Sequence, residues 1–358
     1  MLPALDRRLI YLDQMALSNL AKAQGRDAPA TEEESYWTSV LNQLLKLVRL
    51  QLVSCPRSSF HEEEGLVWSG YEAVRELGRL LSAEIEFHDY ATIRNGQLYQ
   101  HAQLWEEERG NEELAPDVDR VIEGDRHGWQ PRLLIDARFP VSDELVDELN
   151  RTRMAEDDGL ASVWARWAAE DVSFEDRFQQ EASSYGPIVI ALIAAREAAM
   201  AQMPSTVAPR LINDSAAVTF VTVQRALQAA GVPRARLVER AAEYLTSNAV
   251  VNVPFNRISS LLYAGLGRRA RAGQKGVSRG MTTDIRMLSV LLPYCDAVFV
   301  DRECHELLTE NPISEQLGHE TELFSHRNKD EFVTYLAEIE ASARPEHLAM
   351  VEEVYGPI

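Results

Sequence analysis

Carboxylates stand in four places where a fold could turn them into a reagent. Asp13 closes the apolar run LIYLD and Asp301 closes AVFVD. Glu62, Glu63 and Glu64 follow QLVSCPRSSFH, and Asp284 follows Thr282 and Thr283. Carboxylates gathered within a few ångströms repel, and some stay protonated unless a cation neutralises them. Hard oxygen ligands with open positions suit Mg²⁺ or Mn²⁺. One or two such ions can deprotonate water and stabilise an in-line displacement at a phosphodiester. Each acid also has a plainer role, because Asp after a strand forms turns and acids in a first helical turn answer the macrodipole. Only convergence gives positions 13, 64, 284 and 301 a common chemistry.

The elements around them supply a way to converge. LIYLD (9–13), QLVSCP (51–56), AVFVD (297–301) and TELFS (321–325) read as short strands closed by turn or polar residues. Apolar residues at three- and four-residue spacing predict helices over 15–24, 36–49, 60–82, 284–293 and 328–341. This alternation argues for a three-layer α/β/α sandwich with a mostly parallel central sheet. Asp13 and Asp301 then sit at strand carboxyl ends. Ser58 reads as the N-cap of the helix carrying Glu62–Glu64, and Thr282 or Thr283 as the cap that puts Asp284 in a first turn. Strand carboxyl ends and the helix N-termini that follow line one crevice in such sheets. Residues 85–245 differ, with helical periodicity in LASVWARWAAE, YGPIVIALIAAREAAMAQ and AAVTFVTVQRALQAAG. They read as a large all-helical insertion that splits one α/β domain into 1–84 and 246–358.

The chain of 358 residues carries 36 basic and 56 acidic side chains, a net charge of −20 that argues against non-specific coating of nucleic acid. A local basic patch remains open to it. From Tyr244 to Thr283 there is no acid at all, and GLGRRARAGQKGVSRGMTTD is basic and punctuated by glycine. It reads as a flexible loop over 265–280 leading into Asp284. Arg268, Arg269, Arg271, Lys275 and Arg279 are candidate phosphate contacts, against the plainer reading of a solvated loop contacting the acidic helical insertion. Trp164, Trp167 and Tyr263 could stack bases, although aromatics at helical spacing usually pack the core. Three widely spaced cysteines without a C-x-x-C pair exclude a disulfide scaffold and fit a reducing cytoplasm. No long apolar run predicts a membrane span, and the opening MLPALDRRLIYLDQ lacks a signal-peptide pattern. No G-x-G-x-x-G follows a strand, and G-x-x-x-x-G-K-[ST], H-E-x-x-H and G-x-S-x-G are absent. Cys304 and His305 match no nucleophile or metal pattern and read as packing or surface residues.

Four segments together resemble a PIN-domain nuclease of the PIN-like branch. IYLDQMALSNLAK is similar to the family's first strand–Asp–helix motif, with Asp13 matching the first metal-binding acid. LVSCPRSSFHEEEGL is similar to the second, where the Ser-to-acid spacing of six favours Glu64, with Glu63 as the alternative. In TTDIRMLSVLLPYCDAVFVDREC, Asp284 and Asp301 match the third and fourth acids, 17 residues apart. TELFSHRNKDEFVTYL resembles the closing strand and helix. The resemblance covers roughly 1–82 and 281–341 and leaves the helical insertion and basic window outside it. It implies metal-dependent endonucleolytic cleavage with Mg²⁺ or Mn²⁺, most often of RNA, frequently in toxin or defence settings. Ser58 and His61 would support the metal-binding acids.

The leading expectation is therefore an endoribonuclease with Asp13, Glu64, Asp284 and Asp301 as catalytic metal ligands and RNA, rather than DNA, as partner. A second expectation is an inactive PIN-like scaffold whose acidic helical insertion serves as a protein-interaction module in a larger complex. Separately, the resemblance implies a homo-oligomer or a regulatory protein partner as further options. A DNA-directed nuclease is the third, since contacts to the 2′-hydroxyl decide between the substrates.

Overall fold

The computed structural model describes residues 2–24, 29–65, 70–130, 143–201, 215–318 and 320–357. The chain opens with β1 (Arg8–Leu12), α1 (Gln14–Gln24), α2 (Glu32–Arg49), β2 (Val53–Ser54), α3 (Ser59–Gly65) and α4 (Tyr71–Ser82). Of the helix expected over 60–82, residues 66–69 lie outside the described residues. Next come β3 (Glu86–Phe87), α5 (Tyr90–Glu106), β4 (Ile122–Glu123), α6 (Asp143–Ala169), α7 (Phe174–Ala201), α8 (Ser215–Ala229), α9 (Leu237–Thr246) and α10 (Pro254–Arg271). The last part holds α11 (Met281–Leu291), β5 (Ala297–Phe299), α12 (Arg302–Thr309), α13 (Ile313–Gln316), β6 (Glu322–Phe324), α14 (Lys329–Ala341) and α15 (Pro345–Tyr355).

Four strands form a parallel sheet in the order β2-β1-β5-β6. The alternation along β1 sorts its side chains between two cores. Ile10 and Leu12, with Ala297 and Phe299 of β5, pack with Leu20 of α1, Leu44 of α2, Leu77 of α4 and Phe332 of α14. Leu9, Tyr11 and Val298 face the other way, onto a core that includes Ile93 of α5, Leu261 of α10, Ile285 of α11 and Leu307 of α12. Helices thus cover both faces of the sheet, as a parallel sheet requires.

The stretch expected to be all-helical is not so throughout. β3 and β4 pair antiparallel, with Phe87 opposite Ile122, and Phe87 N–H donates to Arg57 O at 2.8 Å, tying the pair to the segment after β2. Residues 131–142 and 202–214 of that stretch lie outside the described residues. The basic window also departs from expectation. Residues 265–271 are the last two turns of α10, and a helix replaces the first part of the expected loop. Phe255, Ile258, Leu261, Leu262, Leu266 and Ala270 bury one broad stripe of α10, which packs on α6, α7 and α11. Gly265 is there for space, because a Cβ at that position would meet Ile313 Cδ1 at 2.4 Å. Among the described residues, no helix is long and apolar enough to cross a membrane.

Candidate metal centre

The connections after β1 and β5 leave in opposite directions, one towards β2 and the other towards β6. A crevice opens outside the carboxyl ends of strands where the order reverses in this way. A cavity of about 180 Å³ lies there, and Asp13, Glu64, Asp284 and Asp301 all line it, with Tyr11, His61 and Arg279. Four acids separated by up to 288 positions therefore meet at the switch point between β1 and β5. Glu63 is not in the lining; it sits partly buried within the influence of Arg286 and Arg153.

Asp13 and Asp301 are held by one device. Asp13 Oδ1 accepts from Ala16 N–H at 2.8 Å, and Asp301 Oδ1 from Cys304 N–H at 2.7 Å. Each aspartate so caps the helix that follows its strand, and the plainer role and the site role coexist in one side chain. Asp284 reaches the cavity from the first turn of α11, but neither Thr282 nor Thr283 is its cap. Both lie inside the helix, and Gly280 is the cap at φ 88° and ψ −9°. The Gly280 N–H donates to Asp157 Oδ1 of α6 at 3.1 Å, and its carbonyl accepts from Asp284 N–H at 3.0 Å. Glu303 fastens the same approach segment by accepting from Ser278 N–H at 3.0 Å.

Ser58 and His61 brace the site from behind. His61 stacks on Tyr11 with ring centroids 4.8 Å apart, and its Nε2 lies 2.7 Å from Leu12 O. A carbonyl only accepts, so Nε2 carries a proton. Burial pushes the imidazole down to about 4, so the ring is neutral and Nδ1 accepts from Ser58 N–H at 3.3 Å. Ser58 Oγ in turn pairs with the Tyr11 hydroxyl at 3.0 Å. Both ring nitrogens are spent on backbone, and His61 pins α3, with Glu64, to the end of β1.

Burial and mutual repulsion disturb the acids. Asp13 is pushed up to about 8, chiefly by burial, with Asp301 and Glu64 adding to it. Asp284 is raised well above the carboxylate range by burial and then by Asp301, Glu64 and Asp13. Glu64 is raised by burial, with Arg153 pulling the other way. Crowded carboxyls of this kind fit a bound cation, which would replace the protons they otherwise retain. Asp284, Asp301 and Cys304 offer ligand atoms within 4.8 Å of one another, a group that can hold a metal ion. Cys304 is the member that sequence reasoning missed. Its buried thiol, pushed up by burial and then by Asp284 and Asp301, lies within hydrogen-bonding reach of both carboxylates. A signal existed, because the residue three beyond a strand-end Asp is the one whose N–H that Asp caps.

The basic side chains divide. Arg268 and Arg269 both pair with Glu310, at 2.9 and 3.1 Å, and Arg268 Nη1 also donates to Asn311 O. Arg271 pairs with Asp171 at 2.7 Å. These three brace α10 against its neighbours and do not line the acidic cavity. Lys275 is exposed in the segment before α11, and Arg279 lines the cavity. Trp164 and Trp167 are buried core residues, and Tyr263 packs against the same core. Asp296 is at the opposite sheet edge, accepting from Leu9 N–H at 2.8 Å and pairing with Arg8.

No protein-family model matches this chain, and no curated protein or solved structure is significantly similar to it.

Proposed function

We propose that this protein is a metal-dependent endonuclease with a PIN-like core, acting on RNA. One observation supports this above all: Asp13, Glu64, Asp284 and Asp301 line one cavity at the switch point of a parallel sheet. Asp13, Asp284, Asp301 and Glu64 would hold a hard divalent cation, Mg²⁺ or Mn²⁺, through oxygen. When bound, such an ion supplies Lewis acidity at a phosphate and makes water nucleophilic near neutral pH. The chain's own contribution is orientation. The two helix-capping bonds fix Asp13 and Asp301, and neutral His61 holds α3 in place. Arg279 at the rim is the cation best placed to meet a phosphate. A role in toxicity or defence is consistent with this chemistry.

The test is incubation of the purified protein with labelled single-stranded RNA and DNA in Mn²⁺, Mg²⁺ or EDTA, beside an Asp13→Asn, Asp284→Asn double variant. Internal cleavage of RNA that needs metal and disappears in the variant is the expected result. No cleavage of any substrate, with no metal-induced thermal shift, would overturn the proposal in favour of a non-catalytic scaffold.

A further inference from the structure

A second cavity, of about 500 Å³, adjoins the acidic one and shares Gln14, Glu64, Arg279, Gly280 and Thr283 with it. Its remaining wall comes from Ser18 and Lys22 of α1 and from Arg153, Glu156 and Asp157 of α6. The acids in that wall are already used. Glu156 pairs with Arg286 at 3.0 Å, Asp157 accepts from Gly280 N–H, and Glu64 belongs to the metal centre. Among the described residues, Lys22, Arg153 and Arg279 have no ion pair. Three cations from three separate elements are therefore left facing one space.

Two side chains there are also unsatisfied. Both amide atoms of Gln14, Oε1 and Nε2, are buried without a hydrogen-bond partner among the described residues, and so is Arg153 Nη2. Polar atoms withdrawn from water normally find partners, and a guanidinium and an amide left open at a cavity wall are set for a ligand. The guanidinium presents a fork suited to phosphate oxygens. The amide offers N–H donors at Nε2 and an acceptor at Oε1, the complement of a hydroxyl that can both accept and donate. Gln14 adjoins Asp13 in the chain and lines both cavities, so its partner lies beside the reacting phosphate.

Building on the nuclease reading, we infer that this cavity seats the nucleotide next to the cleaved bond. Arg153 holds its phosphate, and Gln14 holds its ribose 2′-hydroxyl and thereby makes the site prefer RNA. The 2′-hydroxyl is the group by which a protein tells RNA from DNA. Helix α6, outside the sheet that carries the acids, then supplies part of the substrate site.

The experiment measures binding of the full-length protein to a short labelled single-stranded RNA and its DNA counterpart in EDTA, by fluorescence anisotropy over a range of salt. Arg153→Ala is expected to weaken RNA and DNA alike, by roughly 10-fold, and to lower the salt slope by about 0.7, the loss of one phosphate contact on a single strand. Arg153→Lys, which keeps the charge without the fork, is expected between the two. Gln14→Met, close in size but unable to hydrogen-bond, is expected to weaken RNA by about 10-fold while leaving DNA unchanged. Thermal melts of each variant check that the fold persists. If the wild-type protein binds and cleaves RNA while Arg153→Ala keeps full affinity and Gln14→Met keeps full RNA preference, this inference falls and the nuclease reading stands. If the wild-type protein neither binds nor cleaves nucleic acid, the nuclease reading falls and takes the inference with it.

Discussion

Asp13 and Asp301 are a matched pair: each follows a neighbouring parallel strand, and each gives one carboxylate oxygen to the backbone N–H three residues on. The shared capping bond turns both side chains to the cavity, where Asp13 also meets the backbone of Asp301 and Asp301 meets the Cys304 thiol. Site precision here comes from local capping on a rigid sheet.

Removing one acid should separate stability from activity. Asp284 is half-buried among like charges, so its ionised form is a burden on the metal-free fold. Asp284→Asn is expected to abolish metal-dependent cleavage, by roughly 100-fold or more. The same change should raise the metal-free melting temperature by about 2 °C. Gel-based cleavage and differential scanning fluorimetry in EDTA check the two halves, and a variant that cleaves normally would exclude Asp284 as a ligand.

Metal binding should tighten with pH. Asp13 titrates at about 8 in the folded chain, against an ordinary carboxylate value when unfolded. A raised acid favours the folded state while protonated, so the metal-free protein loses stability as pH climbs from that ordinary value towards 8. A cation must displace the proton to bind. The Mn²⁺-induced thermal shift should therefore grow between about pH 6 and 8 and level off above it. A shift independent of pH would rule out Asp13 as a ligand.

Cys304 distinguishes a hard ion from a soft one. With its thiol protonated, the residue serves the two aspartates as a donor, and on the proposed reading oxygen atoms would carry the cation. Cys304→Ser keeps a donor at the same place, so Mg²⁺-dependent cleavage should stay within about 3-fold of wild type. Loss of cleavage in Mg²⁺, with a gain for thiophilic Cd²⁺ in the wild-type protein, would show instead that sulfur binds the metal.

Gly280 should be hard to replace. A Cβ there meets nothing within 4 Å, so any penalty comes from the backbone, held at φ 88°. Gly280→Ala should cost about 1 kcal/mol in urea unfolding. Because this turn launches α11, cleavage should fall by more than stability alone explains.

Arg269 and Arg279 should part company although both lie in the basic window. Arg269 is half-enclosed and bonded to Glu310, so Arg269→Ala should cost about 1 kcal/mol while RNA affinity stays within about 2-fold. Arg279→Ala should leave stability unchanged and weaken RNA binding several-fold. Equal effects of both variants on affinity would restore the whole window as a binding surface.

The sheet and its acids were legible because their signals are local. A short β-rich apolar run closed by Asp marks both the strand and the side chain at its end, and β1 and β5 bear this out. What escaped depended on space rather than pattern. Glycine at 265 looks like a turn former in sequence, yet it lets α10 approach Ile313 closely. The partners of the nearby arginines, Glu310 and Asp171, are distant in sequence, so the ion pairs that occupy Arg268 and Arg271 have no local signal. The place of Cys304 three residues after Asp301 is legible, but its approach to Asp284 is not, since that contact crosses from α12 to α11. Thr282 and Thr283 are common capping types, but a glycine with positive φ began the helix first.

The strand order has a consequence for synthesis. β1 is an inner strand, but one of its two neighbours, β5, begins only at Ala297. On the ribosome, the edge of β1 that β5 will cover stays unpaired until most of the chain has been made, and Asp13 and Glu64 wait as long for Asp284 and Asp301. On the nuclease reading proposed above, a nascent chain would therefore carry half a cutting site and could not attack the message from which it is being read.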